Sequence, residues 1–308
     1  MLVLNIRAIR LTVTDVNRSQ NFYTQVLGFE TVSDFTVDEQ NYSDRETIRI
    51  TTLQLGTEVI ELIQYLDVEG KPIPKDSQSN DLWFQHLAIV VSDMDSAYAH
   101  LQSFKIEHIS TEPQTIPLSN AASAGVRAFK FKDPDGHNLE LIWFPADKGE
   151  NKWHNKLQTN RLFLGIDHSA ITVADTKQSL KFYRNYLGMH VKEGSLNSGE
   201  TQAYLDGLPE AKVKVTPLRP DKGMGIEMLD YIVPANGRPI PSDWTSFDIA
   251  TVQIELVAND IEKIVERLRQ HSVECLSTQI FLPDSASSYY EGFLVKDPNG
   301  HSILLIAE

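Results

Sequence analysis

Apolar positions recur along the chain in one order: an apolar strand, a helix with a single apolar stripe, then further strands. The first pass predicts a strand near Ile6–Thr14, a helix near Val16–Leu27, and strands near Glu30–Val37, Thr47–Leu55 and Val59–Leu66. The order restarts with strand Phe84–Val91, helix Met94–Leu101 and strands ending in Asn138–Phe144. A third pass gives strand Asp167–Val173, helix Thr176–Leu187 and strand Gly225–Ile232. A fourth gives strand Thr251–Val257, helix Ile261–Arg269 and strand Ser302–Ile306. Met94, Ala97, Tyr98 and Leu101 make one helical stripe, and Ile261, Ile264, Val265 and Leu268 make the matching one. Asp15, Asp93, Asp175 and Asp260 stand where each strand turns into its helix, as N-caps for the free amides of the first turn. The expected fold class is α+β, with four βαβββ modules, two per half. One module alone exposes an apolar sheet face, so modules pair into curved mixed sheets that enclose a cleft.

The halves are copies. Ser19-x-x-Phe22-Tyr23-x-x-x-Leu27-Gly28 returns as Ser179-x-x-Phe182-Tyr183-x-x-x-Leu187-Gly188, offset by 160 residues. Gly70-Lys71-Pro72-Ile73-Pro74 returns as Gly237-Arg238-Pro239-Ile240-Pro241, offset by 167, and Lys132-Asp133-Pro134-Asp135-Gly136-His137 as Lys296-Asp297-Pro298-Asn299-Gly300-His301, offset by 164. A polar stretch with no usable period separates them. The expected division is a first domain at 1–147, a linker at 148–160, in which Trp153 docks on one half, and a second domain at 161–308.

At 308 residues and 41% hydrophobic, the chain has room for two ordinary domains. A net charge of −14 argues against nucleic acid or an anionic membrane as partner. The single Cys275 excludes an internal disulfide framework and fits a reducing compartment. No apolar run is long enough to span a bilayer, and the start meets charge too early for a signal peptide. The expectation is a cytoplasmic protein, monomer or homodimer, acting on a small molecule.

The candidate chemistry emerges when the four first strands are aligned on the capping aspartates. Seven residues before each lie Ala8, His86, His168 and Gln253. The last strands of three modules carry Glu61, Glu140 and Glu227 inside apolar runs, where the fourth has Leu304. A carboxylate in an apolar strand is costly unless a cation neutralises it. Imidazole and carboxylate together suit one divalent ion such as Zn, Ni, Co, Mn or Fe(II).

The repeated Ser-x-x-Phe-Tyr and Asp-Pro-Asp/Asn-Gly-His motifs, with this column of residues, resemble the vicinal oxygen chelate superfamily. That superfamily includes glyoxalase I, extradiol dioxygenases and bleomycin- or fosfomycin-resistance proteins. The resemblance covers all four modules and implies metal ligands from the first and last strands of two facing modules. If each half closes on itself, one site holds Ala8, Glu61, His86 and Glu140, and the other His168, Glu227, Gln253 and Leu304. Glyoxalase-like dimers pair modules across the subunit interface. The same crossed pairing here collects His86, Glu140, His168 and Glu227 in one site and leaves Ala8, Glu61, Gln253 and Leu304 as a poor one. The resemblance then implies a glyoxalase-type lyase or isomerase in which a ligand glutamate, Glu140 or Glu227, moves the proton. An Fe(II) ring-cleaving dioxygenase and a non-catalytic binding protein of the resistance type are the alternatives. In the poor site Arg10, two residues beyond Ala8, is expected to pair with Glu61 in place of the missing ion.

Other residues have blander readings. Turn geometry accounts for the surroundings of His137 and His301, and surface placement is expected for His100, His108, His154, His190 and His271. Phe22-Tyr23 and Phe182-Tyr183 read as helix-to-sheet packing. Trp83, Phe84, Trp143 and Phe144 flank the proposed site, with Phe84 and Phe144 on the ligand face. The loops 112–125 and 283–292 are candidate lids.

Overall fold

Capping aspartates set the frame of every module. In the computed structural model, which describes residues 2–39, 46–155, 161–281 and 290–307, Asp15 accepts from the amides of Asn17 and Arg18. Asp93 accepts from Ser96, Asp175 from Lys177 and Gln178, and Asp260 from Lys263. The first module comprises β1 (Val3–Thr12), α1 (Val16–Gln25), β2 (Glu30–Glu39), β3 (Glu46–Leu55) and β4 (Glu58–Tyr65). The second comprises β5 (Phe84–Val91), α2 (Met94–Gln102), the short strands β6 (Glu107–His108) and β7 (Gln114–Thr115), β8 (Arg127–Lys132) and β9 (Asn138–Trp143). The third begins with β10 (Phe163–Thr172) and α3 (Thr176–Leu180), which runs on as a π-helical segment, Lys181–Tyr186. It continues through β11 (His190–Val191), β12 (Ser195–Ser198), α4 (Glu200–Asp206), β13 (Lys212–Arg219) and β14 (Gly225–Val233). The fourth contains β15 (Val252–Ala258), α5 (Ile261–Gln270), β16 (Glu291–Lys296) and β17 (Ser302–Ala307). Most of loop 283–292, one of the two candidate lids, lies outside the described residues.

Pairing is crossed. One sheet runs β16-β17-β15-β1-β4-β3-β2, joining the first module to the fourth. The other runs β11-β13-β14-β10-β5-β9-β8-β6, joining the third to the second. Each seam is antiparallel, β1 on β15 and β10 on β5, while the first and last strands within a module lie parallel. The helices pack on the sheet faces opposite the predicted site residues, and one apolar core runs through Tyr23, Phe129, Phe182, Phe293 and strand residues of both sheets such as Ile9, Leu87 and Ile171.

The repeated motifs fasten one sheet to the other. Tyr23 of α1 donates to Asp133 at 3.0 Å and Ser19 to Asp135 at 2.7 Å, so the first module's helix grips the second module's turn. Tyr183 donates to Asp297 at 3.0 Å, and Asn299 donates to Ser179 at 3.1 Å, which repeats the clasp in the other half. His137 closes the first clasp, buried between Asp133 at 2.9 Å and the Ile249 carbonyl at 2.8 Å. The Gly-x-Pro-Ile-Pro segments cross. A Cβ on Gly70 would collide with the Phe247 carbonyl, and one on Gly237 with that of Asn80, so only glycine fits at either crossing. Trp83 belongs to this crossing: its ring lies on Trp244 and under Arg238. Among the described residues no helix is long and apolar enough to cross a membrane.

Candidate metal centre

Four neighbouring strands in the middle of the ten-stranded sheet, β14, β10, β5 and β9, each carry one predicted site residue: Glu227, His168, His86 and Glu140. In the register Ala88 faces both His168 and Glu140, and Ala170 faces both His86 and Glu227. These two fully buried alanines lie between the functional side chains and take up little of the space there. His86 Nε2 lies 3.3 Å from His168 Nε2 and 3.1 Å from Glu140 Oε2. His168 Nε2 lies 4.0 Å from Glu140 Oε2 and 3.4 Å from Glu227 Oε2. His86, Glu140 and His168 offer donor atoms all within 4.8 Å of one another. Glu227 adjoins that group through His168, and 21% of its side chain is exposed against 7% for Glu140.

The residue before each histidine turns into the same cleft, which strict strand alternation forbids. The pairing of β5 with β10 shifts register between Ala170 and Ile171 and between Ile166 and His168, leaving Gln85 and Asp167 as extra residues. Bulges of this kind re-aim a side chain next to a site. Gln85 Oε1 accepts from His86 Nδ1 and from Lys130 Nζ at 3.4 Å. Asp167 Oδ2 accepts from His168 Nδ1 at 2.9 Å and from Arg219 at 2.7 Å, while Trp153, from the segment between the halves, donates to Oδ1 at 3.0 Å. Each Nδ1 faces an acceptor oxygen, an arrangement that suits a hydrogen on Nδ1 and an Nε2 lone pair turned inward.

Electrostatics follow from burial and from this polarity. Burial holds the His86 imidazolium down to about 4, with Lys130 adding to the effect and Glu140 opposing it. Glu140 is driven the other way: burial opposes its charge, but His86, Lys130 and His168 outweigh that and hold it at about 2. Glu227 is raised, by burial first and then by Asp167 and Glu140 against the pull of His168 and Arg219. His168 is raised because Glu227 and Asp167 outweigh its burial.

The donor set fits a divalent cation. Metal bonds of about 2.1 Å put neighbouring donors about 3.0–3.4 Å apart, and three of the four separations here are 3.1, 3.3 and 3.4 Å. Two inward lone pairs at this separation repel unless a cation lies between them.

The family model described as the Glyoxalase/Bleomycin resistance protein/Dioxygenase superfamily matches residues 5–141 and 165–305. The chain belongs to this superfamily. It is 31% identical over 145 residues to a 2-epi-5-epi-valiolone epimerase of an Actinomyces species, covering 44% of this chain and 76% of that one. It is 27% identical over 200 residues to lactoylglutathione lyase of Schizosaccharomyces pombe, covering 59% of this chain and 58% of that protein. Glyoxalase I of Zea mays superposes over 98% of this chain and 92% of its own with a TM-score of 0.65 at 17% identity, a likeness of fold.

The second cleft of this superfamily member, in the seven-stranded sheet, holds no such donor set among the described residues. Arg10 lies 3.2 Å from Glu61, as expected, and donates to Gln253 at 3.2 Å. Two further residues complete it. Arg7, at a register shift between Ile6 and Ala8, donates to Glu61 at 2.6 Å and to Glu255 at 2.6 Å. Glu255 is wholly buried, and burial followed by repulsion from Glu61 pushes it up to about 7. Of the remaining histidines, His108, His190 and His271 are exposed, and His100 donates to the Val26 carbonyl. Phe144 packs against the cluster of Ala88, Val90 and Ile142, on the ligand face. The Phe84 side chain lies outside the described residues.

Proposed function

We propose that the chain is a metal-dependent isomerase or lyase of glyoxalase type, with His86, Glu140, His168 and Glu227 around one divalent ion. The observation that carries this is the pair of histidine Nε2 atoms 3.3 Å apart beside two carboxylates, each ring backed at Nδ1 by an acceptor oxygen, Gln85 Oε1 or Asp167 Oδ2. A divalent ion held there supplies Lewis acidity toward two neighbouring substrate oxygens. Glu140, paired with His86 and held far below neutrality, stays anionic. Glu227 is the better proton carrier because it is partly exposed and its affinity for a proton is raised. It would take the proton from the carbon beside a substrate carbonyl and return it to the same or the adjacent carbon, which would give epimerisation or isomerisation. One relative bears the name of an epimerase and another that of a lyase, and a glutamate-borne proton serves either.

The test is metal analysis of wild type, His168→Ala and Glu227→Gln, with hydrogen–deuterium exchange at the α-carbon of a hydroxyketone followed by NMR. Wild type should hold one ion per chain and His168→Ala none. Glu227→Gln should keep most of its metal and lose exchange. A metal content unchanged by His168→Ala, or exchange unchanged by Glu227→Gln, refutes the assignment.

A second reading has one observation in its favour. The tightest group is two histidines and one glutamate, the donor set of Fe(II) oxygenases. Catechol-dependent oxygen uptake by the Fe(II)-loaded protein would establish it in place of the first.

A further inference from the structure

The two histidines are backed by unlike partners. His168 Nδ1 meets a carboxylate, that of Asp167, whereas His86 Nδ1 meets the amide oxygen of Gln85. An amide has a donor end as well as an acceptor end, so Gln85 serves as an acceptor only while its neighbours fix which end it turns. A carboxylate needs no such control.

The strand register shows where that control comes from. Across from the site position of each module's last strand stand Thr52 against Glu61, Lys130 against Glu140, Pro217 against Glu227 and Leu294 against Leu304. Only Lys130 among these brings a charge. It is buried, and its ammonium pairs at 2.7 Å with the equally buried Asp206, the last residue of α4 in the third module. Asp206 Oδ2 accepts from Tyr231 at 2.9 Å and from Gln202 at 2.6 Å. The end of α4 is tied in turn to the second module and to the segment before it: Ser110 donates to the Leu205 carbonyl at 2.7 Å and Ser79 to the Asp206 carbonyl at 2.8 Å.

These bonds set both ends of Gln85 at once. Lys130 has only hydrogens to give, and it lies 3.4 Å from Gln85 Oε1. Tyr231 spends its hydroxyl hydrogen on Asp206, so it meets Gln85 Nε2, 3.4 Å away, as an acceptor. Turning the amide over would set its NH₂ against the ammonium and its oxygen against a hydroxyl with no hydrogen left to donate.

We propose that Asp206 is a positioning residue for His86: through Lys130 and Tyr231 it fixes the Gln85 amide, and with it the nitrogen that His86 turns into the site. What this serves rests on the reading of His86 as a metal ligand. His168 takes its orienting carboxylate from the residue before it, and His86 takes one at second remove from a helix of the facing module. The third module therefore supplies the orienting carboxylate for both rings.

Long-range proton–nitrogen correlation NMR of metal-free protein with isotope-labelled histidine, under alkaline conditions where both rings are neutral, reads each tautomer without an ion. Wild type should carry the hydrogen of both rings on Nδ1. Lys130→Met with Asp206→Leu removes both charges together and frees Tyr231 to donate to Gln85. That protein should move the His86 hydrogen to Nε2, leave His168 unchanged and lose roughly 10–100-fold in Zn²⁺ affinity. Asp206→Asn, which keeps the packing, should shift His86 the same way by less, because Lys130 remains. Adding Gln85→Glu to the double variant gives His86 an acceptor with no donor end, and should restore Nδ1–H and most of the affinity. A purely structural role for the ion pair predicts no such rescue. Nε2–H on His86 in wild type, an unchanged His86 in the folded variants, an equal shift of His168, or failure of the rescue overturns the inference. A His86 shift in a protein that binds no Zn²⁺ even as wild type refutes the metal centre and leaves the positioning role standing.

Discussion

Asp167→Asn isolates what the outer partner of a proposed ligand contributes. Asp167 receives three donors, from His168, Arg219 and Trp153. An asparagine offers one oxygen and one NH₂. With the oxygen toward His168 and Arg219, the NH₂ faces the Trp153 N–H, donor against donor. Flipped, the NH₂ faces His168 Nδ1 and drives the hydrogen to Nε2, where a ligand needs a lone pair. Either orientation also leaves Arg219, 19% exposed, without its carboxylate. Loss of such a partner costs roughly 10–100-fold in metal affinity, about 1.4–2.8 kcal/mol. Competition of Zn²⁺ or Co²⁺ against a chromophoric chelator measures it, with a melting curve on each protein. Asp95→Asn, which removes an exposed partner of Arg127, is the control and should leave affinity unchanged. A folded Asp167→Asn protein with affinity within twofold of wild type would refute the argument that Asp167 fixes the tautomer of His168.

Three further outcomes follow from the buried charges. His137 is opposed by burial but raised to about 9 by Asp133. Its contribution is complete below pH 6.5 and lost as pH rises through 9, so unfolding free energy should fall by about 2–3 kcal/mol over that window. Urea titrations at several pH values check this, and His137→Gln should flatten the curve. Arg7→Met removes the hydrogen-bonded partner of the wholly buried Glu255, leaving Arg10 at 3.7 Å, and should cost about 3–5 kcal/mol, whereas Arg7→Met with Glu255→Met should restore most of it. The same titrations at one pH would detect equal losses, which would sink the pairing argument. Tyr23→Phe and Tyr183→Phe each remove a hydrogen bond to a buried carboxylate and should each lower stability by about 1.5–3 kcal/mol. A loss confined to one of them would show that the two clasps are not equivalent.

The modules, their caps and the column of candidate site residues were legible because each leaves a local mark. A carboxylate such as Glu140 in an apolar strand stands out whatever the strand packs against, and the repeat puts the four positions in register. Gln85 and Asp167 were not legible, because period-two alternation assigns consecutive residues to opposite faces and a bulge breaks that rule. The signal available was two polar residues in succession, Gln85-His86 and Asp167-His168, inside otherwise apolar runs. The helix α4 was missed because seven residues with few apolar positions give no periodicity to read. The ranking of Glu227 over Glu140 as proton carrier depends on exposure and on charges from neighbouring strands, which no single strand encodes.

The two clefts give their buried carboxylates different partners. Crossed pairing gathers Ala8, Gln253 and Leu304 into one cleft, so the positions that lack ligands there take nothing from the other. In that cleft two carboxylates, Glu61 and Glu255, meet two guanidiniums, Arg7 and Arg10. In the other, Glu140 and Glu227 face the two histidines, and the nearby cations Lys130 and Arg219 are each already paired, with Asp206 and Asp167. Arg7 reaches its cleft by the same backbone device that delivers Asp167, a register shift one residue before the aligned position. The bulge therefore sets only where a side chain points. Whether that chain is a guanidinium or an acceptor behind a histidine decides if the cleft pairs its own carboxylates or presents a donor set that fits an ion.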